Sequence, residues 1–337
     1  MRRTIVLAGA AIALAAAAAA YTGYWFITAE RLRSGVERWG AARQAEGRDL
    51  HWTAVTSEGF PFCFRLRITG AVLDGARPLP FTAATPILVG EAQPWNLRRW
   101  ELRAPDGAQV TMPVEGTTLA AAVVDGTLVP PMPGGGMAVT LRAHDVVANG
   151  NAALRIGEAE LRLALPEHAP ADHRDAALDA ALHLANVTLP HPLPPLGDRV
   201  DSLSVAGTLK GTLPQGPLRE ALAAWRQDGG TVELEDGSIQ WGALALSATG
   251  TLALDETLQP IGALTATVVD QNAVIDAAVA QGNMRAGDGD LAKIVLGLMA
   301  KPGADGKPRL TVPLRVQNRR LYLGPAQLAT LPRFTWE

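Results

Sequence analysis

The run that follows Met1-Arg2-Arg3 limits this chain more than anything after it. Thr4 to Ala29 carries no charge, is rich in Ala, Ile, Leu and Val, and closes on Tyr21, Tyr24, Trp25 and Phe26. About 20 apolar residues cross the hydrocarbon core as a helix, so this run is long enough to span a bilayer. A cleavable secretory signal is the competing reading, because the alanine tract offers small-residue cleavage sites near Ala18 to Ala20. The length of the run favours a retained anchor, as does the Tyr and Trp cluster, which sits where an interfacial belt belongs. Arg2 and Arg3 hold the N-terminus in the cytoplasm, a bias that Arg31 and Arg33 on the far side weaken. Either reading sends the remainder across a membrane. The chain then divides into residues 1–27 (anchor or signal), 28–46 (amphipathic helix) and 47–337, expected to be a periplasmic domain on a single-pass inner-membrane anchor.

Composition narrows the function classes. A net charge of -3 leaves no electrostatic footprint for nucleic acid. Only Lys210, Lys293, Lys301 and Lys307 supply lysine, a bias that, with abundant Ala, fits a GC-rich bacterial genome. Cys63 is the single cysteine, so no intramolecular disulfide can form. Set within Phe60-Pro61-Phe62-Cys63-Phe64, it reads as a buried, inert thiol.

Beyond the anchor, Leu32, Val36 and Trp39 recur at helical spacing, and this helix is expected to end near Gly47. The period then becomes two. Phe62, Phe64, Leu66 and Ile68 share one face, as do Leu203, Val205, Gly207 and Leu209. Leu244, Leu246, Ala248, Leu252 and Leu254 make a third set, and Leu310, Val312, Leu314 and Val316 a fourth. Strands with one wet and one apolar face belong to antiparallel sheet, not to a doubly wound parallel one. Helices are few: Pro217 to Gln227, Val274 to Val279 ending at Gly282, and Leu291 to Met299 opened by Asp290 and closed by Pro302-Gly303. Asp172 to Leu184 is ambiguous, and Leu182, Leu184, Val187 and Leu189 suit a strand with a bulge. Val129 to Gly136 and Pro190 to Gly197 read as loops. Gly-Thr-Leu recurs at Gly126, Gly207 and Gly250, as stacked hairpins with Gly at a bend would show. The fold class expected is mainly β with a few helices, a large curled antiparallel sheet, groove-like or sandwich-like, behind one N-terminal transmembrane helix.

Chemistry is sparse. His51, His144, His168, His173, His183 and His191 have no partners at metal-ligand spacing. No nucleophile elbow or phosphate-binding loop occurs, and Asp236-Gly237 is a turn signal before it is a catalytic one. No catalytic, cofactor-binding or metal-binding residue is assigned. The Gly59-Phe60-Pro61-Phe62-Cys63-Phe64 segment stands out instead, with Trp95 and Trp100 after it. Three phenylalanines alternating into a strand would each stabilise by about 2 kcal/mol on burial. Strand start and core is one reading of this segment, ligand contact the other.

These landmarks together resemble an uncharacterised family of proteobacterial envelope proteins, domain-of-unknown-function family 2125. They are Tyr21 to Trp25, Gly59 to Phe62, Pro94-Trp95, the Trp241 to Asp255 block and Leu323-Gly324-Pro325. The Trp241 to Asp255 block is also similar to the repeated hairpins of AsmA-like proteins. That resemblance implies a membrane-anchored, curled antiparallel sheet with an apolar groove, and larger members are thought to carry phospholipid. The candidate groove wall is then Phe60, Phe62, Phe64, Leu246 and Leu252, and the expected partners are the inner membrane, a phospholipid or other apolar ligand, or an envelope protein. A closed interaction domain, with helices such as Leu291 to Met299 capping the sheet, is the alternative. An enzyme would need His51, His144 or an acidic pair to converge in one pocket.

Overall fold

In the computed structural model the described residues are 2–45, 49–75, 81–112, 117–131, 134–150, 153–214, 216–282, 284–303, 307–323 and 326–336. The apolar run and the amphipathic segment form one helix, α1 (Arg2–Ala45), with no break at residue 27. Gly47, where that helix was expected to end, lies outside the described residues. From Ala11 to Ala20 every side chain is exposed, and Tyr21 is half-buried.

Strands follow in chain order: β1 (Asp49–His51), β2 (Ala54–Glu58), β3 (Phe64–Gly75), β4 (Phe81–Gln93), β5 (Asn96–Ala104), β6 (Ala108–Met112), β7 (Thr117–Ala121), β8 (Val123–Val129), β9 (Met137–Asn149), β10 (Leu154–Leu165), β11 (Ala176–Leu193) and β12 (Gly197–Lys210). After α2 (Leu218–Gln227) come β13 (Thr231–Trp241), β14 (Leu244–Leu254) and β15 (Pro260–Val269). Then α3 (Gln271–Ala280) and α4 (Ala286–Met299) precede β16 (Lys301–Pro302), β17 (Pro308–Gln317), β18 (Arg320–Leu323) and β19 (Ala326–Thr330). Among the described residues these 19 strands make one sheet. Every pairing is antiparallel, and from β9 to β15 each strand pairs with its neighbour in sequence. β17 then pairs with β15, past the two helices. Such a meander needs only tight turns, which is why Gly and Pro punctuate the chain so often.

One crease crosses much of the sheet. The ladder skips Gly70 against Pro86, Asp145 against Gly157, Gly157 against Asn186, and Asn186 against Asp201. Gly70, Asp145 and Asn186 hold left-handed backbone there. Across the crease the apolar spacing changes from two residues to three at one level in four adjacent strands, from Ala143 to Val146, Ile156 to Ala159, Leu184 to Val187, and Val200 to Leu203. One residue of each strand is skipped against one of its partner, so the register is kept across the crease, and the apolar side chains stay on one face. Val146, Ile156, Val187 and Val200 form a buried row beyond it, packed on Ala143, Ala159 and Leu184. The ambiguous stretch is strand from Ala176 onward, and its ladder irregularities fall at Ala176–Leu178 and Thr188–Leu193, not between Leu184 and Val187.

Three expectations need correction. β3 starts at Phe64, so Phe62 sits in a turn and does not alternate into the strand. α4 starts at Ala286, a full turn before Asp290, with Arg285 at its N-cap position. The tract from Pro190 to Gly197 is mostly strand, because β11 runs to Leu193 and β12 begins at Gly197, although its pairing with β12 is irregular between Thr188 and Leu193. The glycines of α4 hid its first turn. Gly289 is needed for close packing there, since a Cβ would lie 2.7 Å from Val279 on α3.

Candidate functional site: an open apolar face and an aromatic collar

Register turns the scattered alternations into one surface. Cross-strand neighbours from β8 to β10 read Val124, Ala143, Ala159 and Leu128, Val139, Leu163. Further along, Leu184, Leu203, Ile239, Leu246, Val268 and Leu310 form one row across six strands. Leu182, Val205, Gly237, Ala248, Ala266 and Val312 form the next. The opposite face carries Arg142, Glu160, His183, Ser204, Ser238, Ser247, Thr267 and Thr311. An apolar sheet face of this extent normally packs against a second layer.

Among the described residues helices cover its two ends, and the crease row of Val146, Ile156, Val187 and Val200 is buried between them. At the first end, Trp25 and Ala29 of α1 are buried with Phe64, and Leu32, Leu97 and Trp100 pack against them. At the second, α3 and α4 lie over β14 and β17, and Leu296 packs onto Ala266, Leu310 and Val312. On the other side of the crease the face is open: Leu182 is 38% and Val205 43% exposed. Total exposed area agrees. The chain shows 20421 Å², whereas a compact monomer of 35.4 kDa shows about 13,000 Å². The unaccompanied turns of α1 and the uncovered face both feed this excess.

Glycine shapes the face at Gly250. Its φ is +155°, and a Cβ there would lie 2.3 Å from the Ala263 carbonyl oxygen. Strand β15 approaches that closely because position 250 has no side chain. Gly126 and Gly207, the other members of the Gly-Thr-Leu echo, lie on the same face.

The candidate wall residues separate into two groups. Leu246 and Leu252 lie on the apolar face, half-buried, opposite Ile239 and Val232. Phe64 lies on the same face but under α1, 1% exposed. Phe60 and Phe62 belong to a turn closed by the Phe62 and Cys63 amides, both donating to the Gly59 carbonyl at 2.9 and 3.0 Å. This turn and the β4–β5 turn wrap α1 as a collar. Tyr21 Oη donates to the Pro61 carbonyl, Tyr24 Oη to the Pro94 carbonyl at 2.8 Å, and Trp25 Nε1 to the Cys63 carbonyl at 3.2 Å. Trp25 stacks on Phe64 at 5.3 Å and meets the Phe60 ring edge-on at 5.4 Å. The sequence marked these aromatics one by one and gave no sign that they bond across 40 residues.

Reactive groups do not converge. Cys63 is buried, and burial, then the nearby Glu91 charge, pushes its thiol pKa up, away from thiolate chemistry. His144 Nε2 lies 3.3 Å from Asp125 and His183 Nδ1 lies 2.7 Å from Ser204 Oγ, both on the polar face, while His51 pairs with Asp49. Among the described residues, no group of three or more His, Cys, Asp or Glu is placed to hold a metal ion. α4 also leaves Leu291, Ile294, Val295, Leu298 and Met299 exposed.

No curated protein and no solved structure matches the chain. A family model described as an uncharacterized protein conserved in bacteria (DUF2125) matches residues 25–332, from the aromatic collar of α1 to the last strands of the sheet, and the chain belongs to that family.

Proposed function

We propose that the protein is an inner-membrane-anchored periplasmic holder of a lipid-like ligand, bound along the apolar face of the sheet. The carrying observation is the uncovered stretch of that face between α1 and α3–α4, where Leu182 and Val205 stand open to solvent. Apolar surface left in water costs roughly 25 cal/mol per Å². A contiguous patch of this kind marks a binding surface in a soluble domain. Acyl chains need no specific polar partner, which suits a face built from Leu, Val, Ala and Gly. α1 supplies the attachment: it is long and apolar enough to cross a membrane, and Arg2 and Arg3 favour a cytoplasmic N-terminus. A second reading is an interaction protein of the envelope, favoured by the exposed apolar side chains of α4.

Site-specific photo-crosslinking in cells fed radioactive phosphate tests the first reading. A benzophenone side chain at Leu246 faces the groove, and one at Ser247 faces away from it. The expected result is a labelled lipid adduct at 246 and none at 247. Equal labelling at both, or none at either, overturns the lipid reading. A protein adduct alone at 246 favours the second.

A further inference from the structure

We propose that the Phe62 and Trp95 turns insert into the bilayer interface beside α1, seating this end of the sheet directly on the membrane. The inference rests on the reading of α1 as a membrane span. Two turns from different hairpins share one end of the sheet, because Phe64 at the start of β3 pairs with Ala92 near the end of β4. Each is tied to α1 by a tyrosine: the Phe62 turn through Tyr21 and Pro61, the Trp95 turn through Tyr24 and Pro94. Their height on the helix is therefore fixed. At a rise of 1.5 Å per residue, a span of about 30 Å that begins at Thr4 ends near Gly23. Tyr21 and Tyr24 then sit at the outer boundary of the hydrocarbon, and both turns sit there with them.

The exposed side chains at that level suit this medium. Phe62 and Trp95 are each 76% exposed, and Phe26, Ile27, Tyr24 and Phe60 stand open around them. No charged residue occurs from Gly59 to Phe64, from Ala92 to Leu97, or in α1 from Thr4 to Ala29. One exposed aromatic residue is ordinary on a protein surface. Five of them with Ile27 at the boundary of an apolar helix, free of charge, have the composition of an interfacial belt. A protein partner at this height would have to displace lipid from α1. The bilayer is already there.

The arrangement bears on ligand entry. Phe64, Leu66 and Ile68 on β3 continue the same apolar face through Gly90, Leu102 and Gly126. At the collar this face is covered, with Phe64 under α1 and Leu66 buried, so an acyl chain leaving the outer leaflet would join the face beyond the helix.

Depth measurement on the full chain tests the proposal. With Cys63→Ala as background, single cysteines replace Phe62, Trp95, Ser247 and Ile12, each labelled with an environment-sensitive fluorophore. The proteins are reconstituted in phosphatidylethanolamine–phosphatidylglycerol vesicles carrying nitroxides at shallow or deep acyl positions. The expected result is strong quenching of 62 and 95 by the shallow nitroxide, of 12 by the deep one, and of 247 only by a water-soluble quencher. If 62 and 95 behave like 247 while 12 is quenched from within, α1 spans and the collar does not insert, which overturns the proposal. If 12 also reports water, the anchor reading fails, and the insertion proposal falls with it. Retained protease resistance of each labelled protein shows that it is folded; Phe62 and Trp95 are exposed enough for the replacements to leave the fold intact.

Discussion

Asp255 shows how much a single turn can hold. Its Oδ1 accepts the Thr257 amide at 2.8 Å, the Thr257 hydroxyl at 2.7 Å and the Gln259 amide at 2.9 Å. These bonds fix the β14–β15 turn, in which Leu258 takes a left-handed backbone and is buried. The C-terminal segment is strapped to it: Phe334 N donates to the Gln259 side chain at 3.0 Å and Trp336 Nε1 donates to the Leu258 carbonyl at 2.7 Å. Burial raises the Asp255 pKa, but the bonds donated by Gln259 and Thr257 outweigh it, and the net shift is downward. A carboxylate with a lowered folded pKa stabilises above its unfolded value, about 3.9. That contribution is lost as pH falls through the folded pKa. Asp255→Ala should cost about 1–2 kcal/mol at neutral pH, from three bonds to one ion. Its cost should shrink below pH 4, and urea-denaturation midpoints of both proteins across that range check the sign. At this scale the sequence was only partly readable. Asp255 was recognisable as a turn residue, whereas its tie to Phe334 and Trp336 spans nearly 80 positions and leaves no local pattern. Phe62 misled for a related reason. Alternation with Phe64 looked like a strand, but Gly59, at φ +102°, starts a tight turn that rotates Phe62 out.

Elements were more legible than contacts, because period-two alternation and helical spacing are local signals. β12, β14 and β17 fall where the alternation placed them, and α2 and α3 fall where their stripes did. In β11 the gap of three between Leu184 and Val187 was visible, although it marks the crease and not a bulge. That the same gap recurs at one level in four strands was not, because register is a tertiary fact. Glycine divides along the same line. Gly250 permits a close strand approach, and a Cβ there would meet Ala263 O at 2.3 Å and Leu264 Cα at 2.7 Å, both backbone. Gly250→Ala should therefore cost roughly 3 kcal/mol or more, since neither contact can rotate away. Gly297 lies within α4 with nothing within 4 Å of its would-be Cβ. Gly297→Ala should stabilise by about 0.5–1 kcal/mol through helix propensity and a less free unfolded chain. Pulse proteolysis in urea on the two full-length variants should move their midpoints in opposite directions. Opposite signs would show that the cost at Gly250 comes from the close strand approach and not from losing a glycine as such.

For the whole molecule the question is whether the apolar face is a core or a surface, and one-sided alternation is compatible with both. A face of Leu and Val can close on a second layer or stay open, and nothing in a strand's own sequence decides which. What decides it is how many elements are left to cover the face. Among the described residues α1 packs on one end of it and α3 with α4 on the other. Charge substitution separates the two outcomes. Leu182 and Val205 are cross-strand partners, 38% and 43% exposed, in the uncovered stretch. Val312 lies on the same face two strands from the edge, 8% exposed, beneath Leu296 of α4. If the face is open, Leu182→Glu or Val205→Glu places a carboxylate that reaches water, and the cost stays near 1 kcal/mol. Val312→Glu buries an unpaired charge under a helix and costs several kcal/mol or prevents folding. A closed core would make all three equally severe. Urea midpoints of the three full-length variants, read against wild type, should thus split two to one. The two mild variants should also lose the lipid adduct at position 246 while keeping their fold, because a carboxylate in the middle of the face repels an acyl chain without disturbing either covered end.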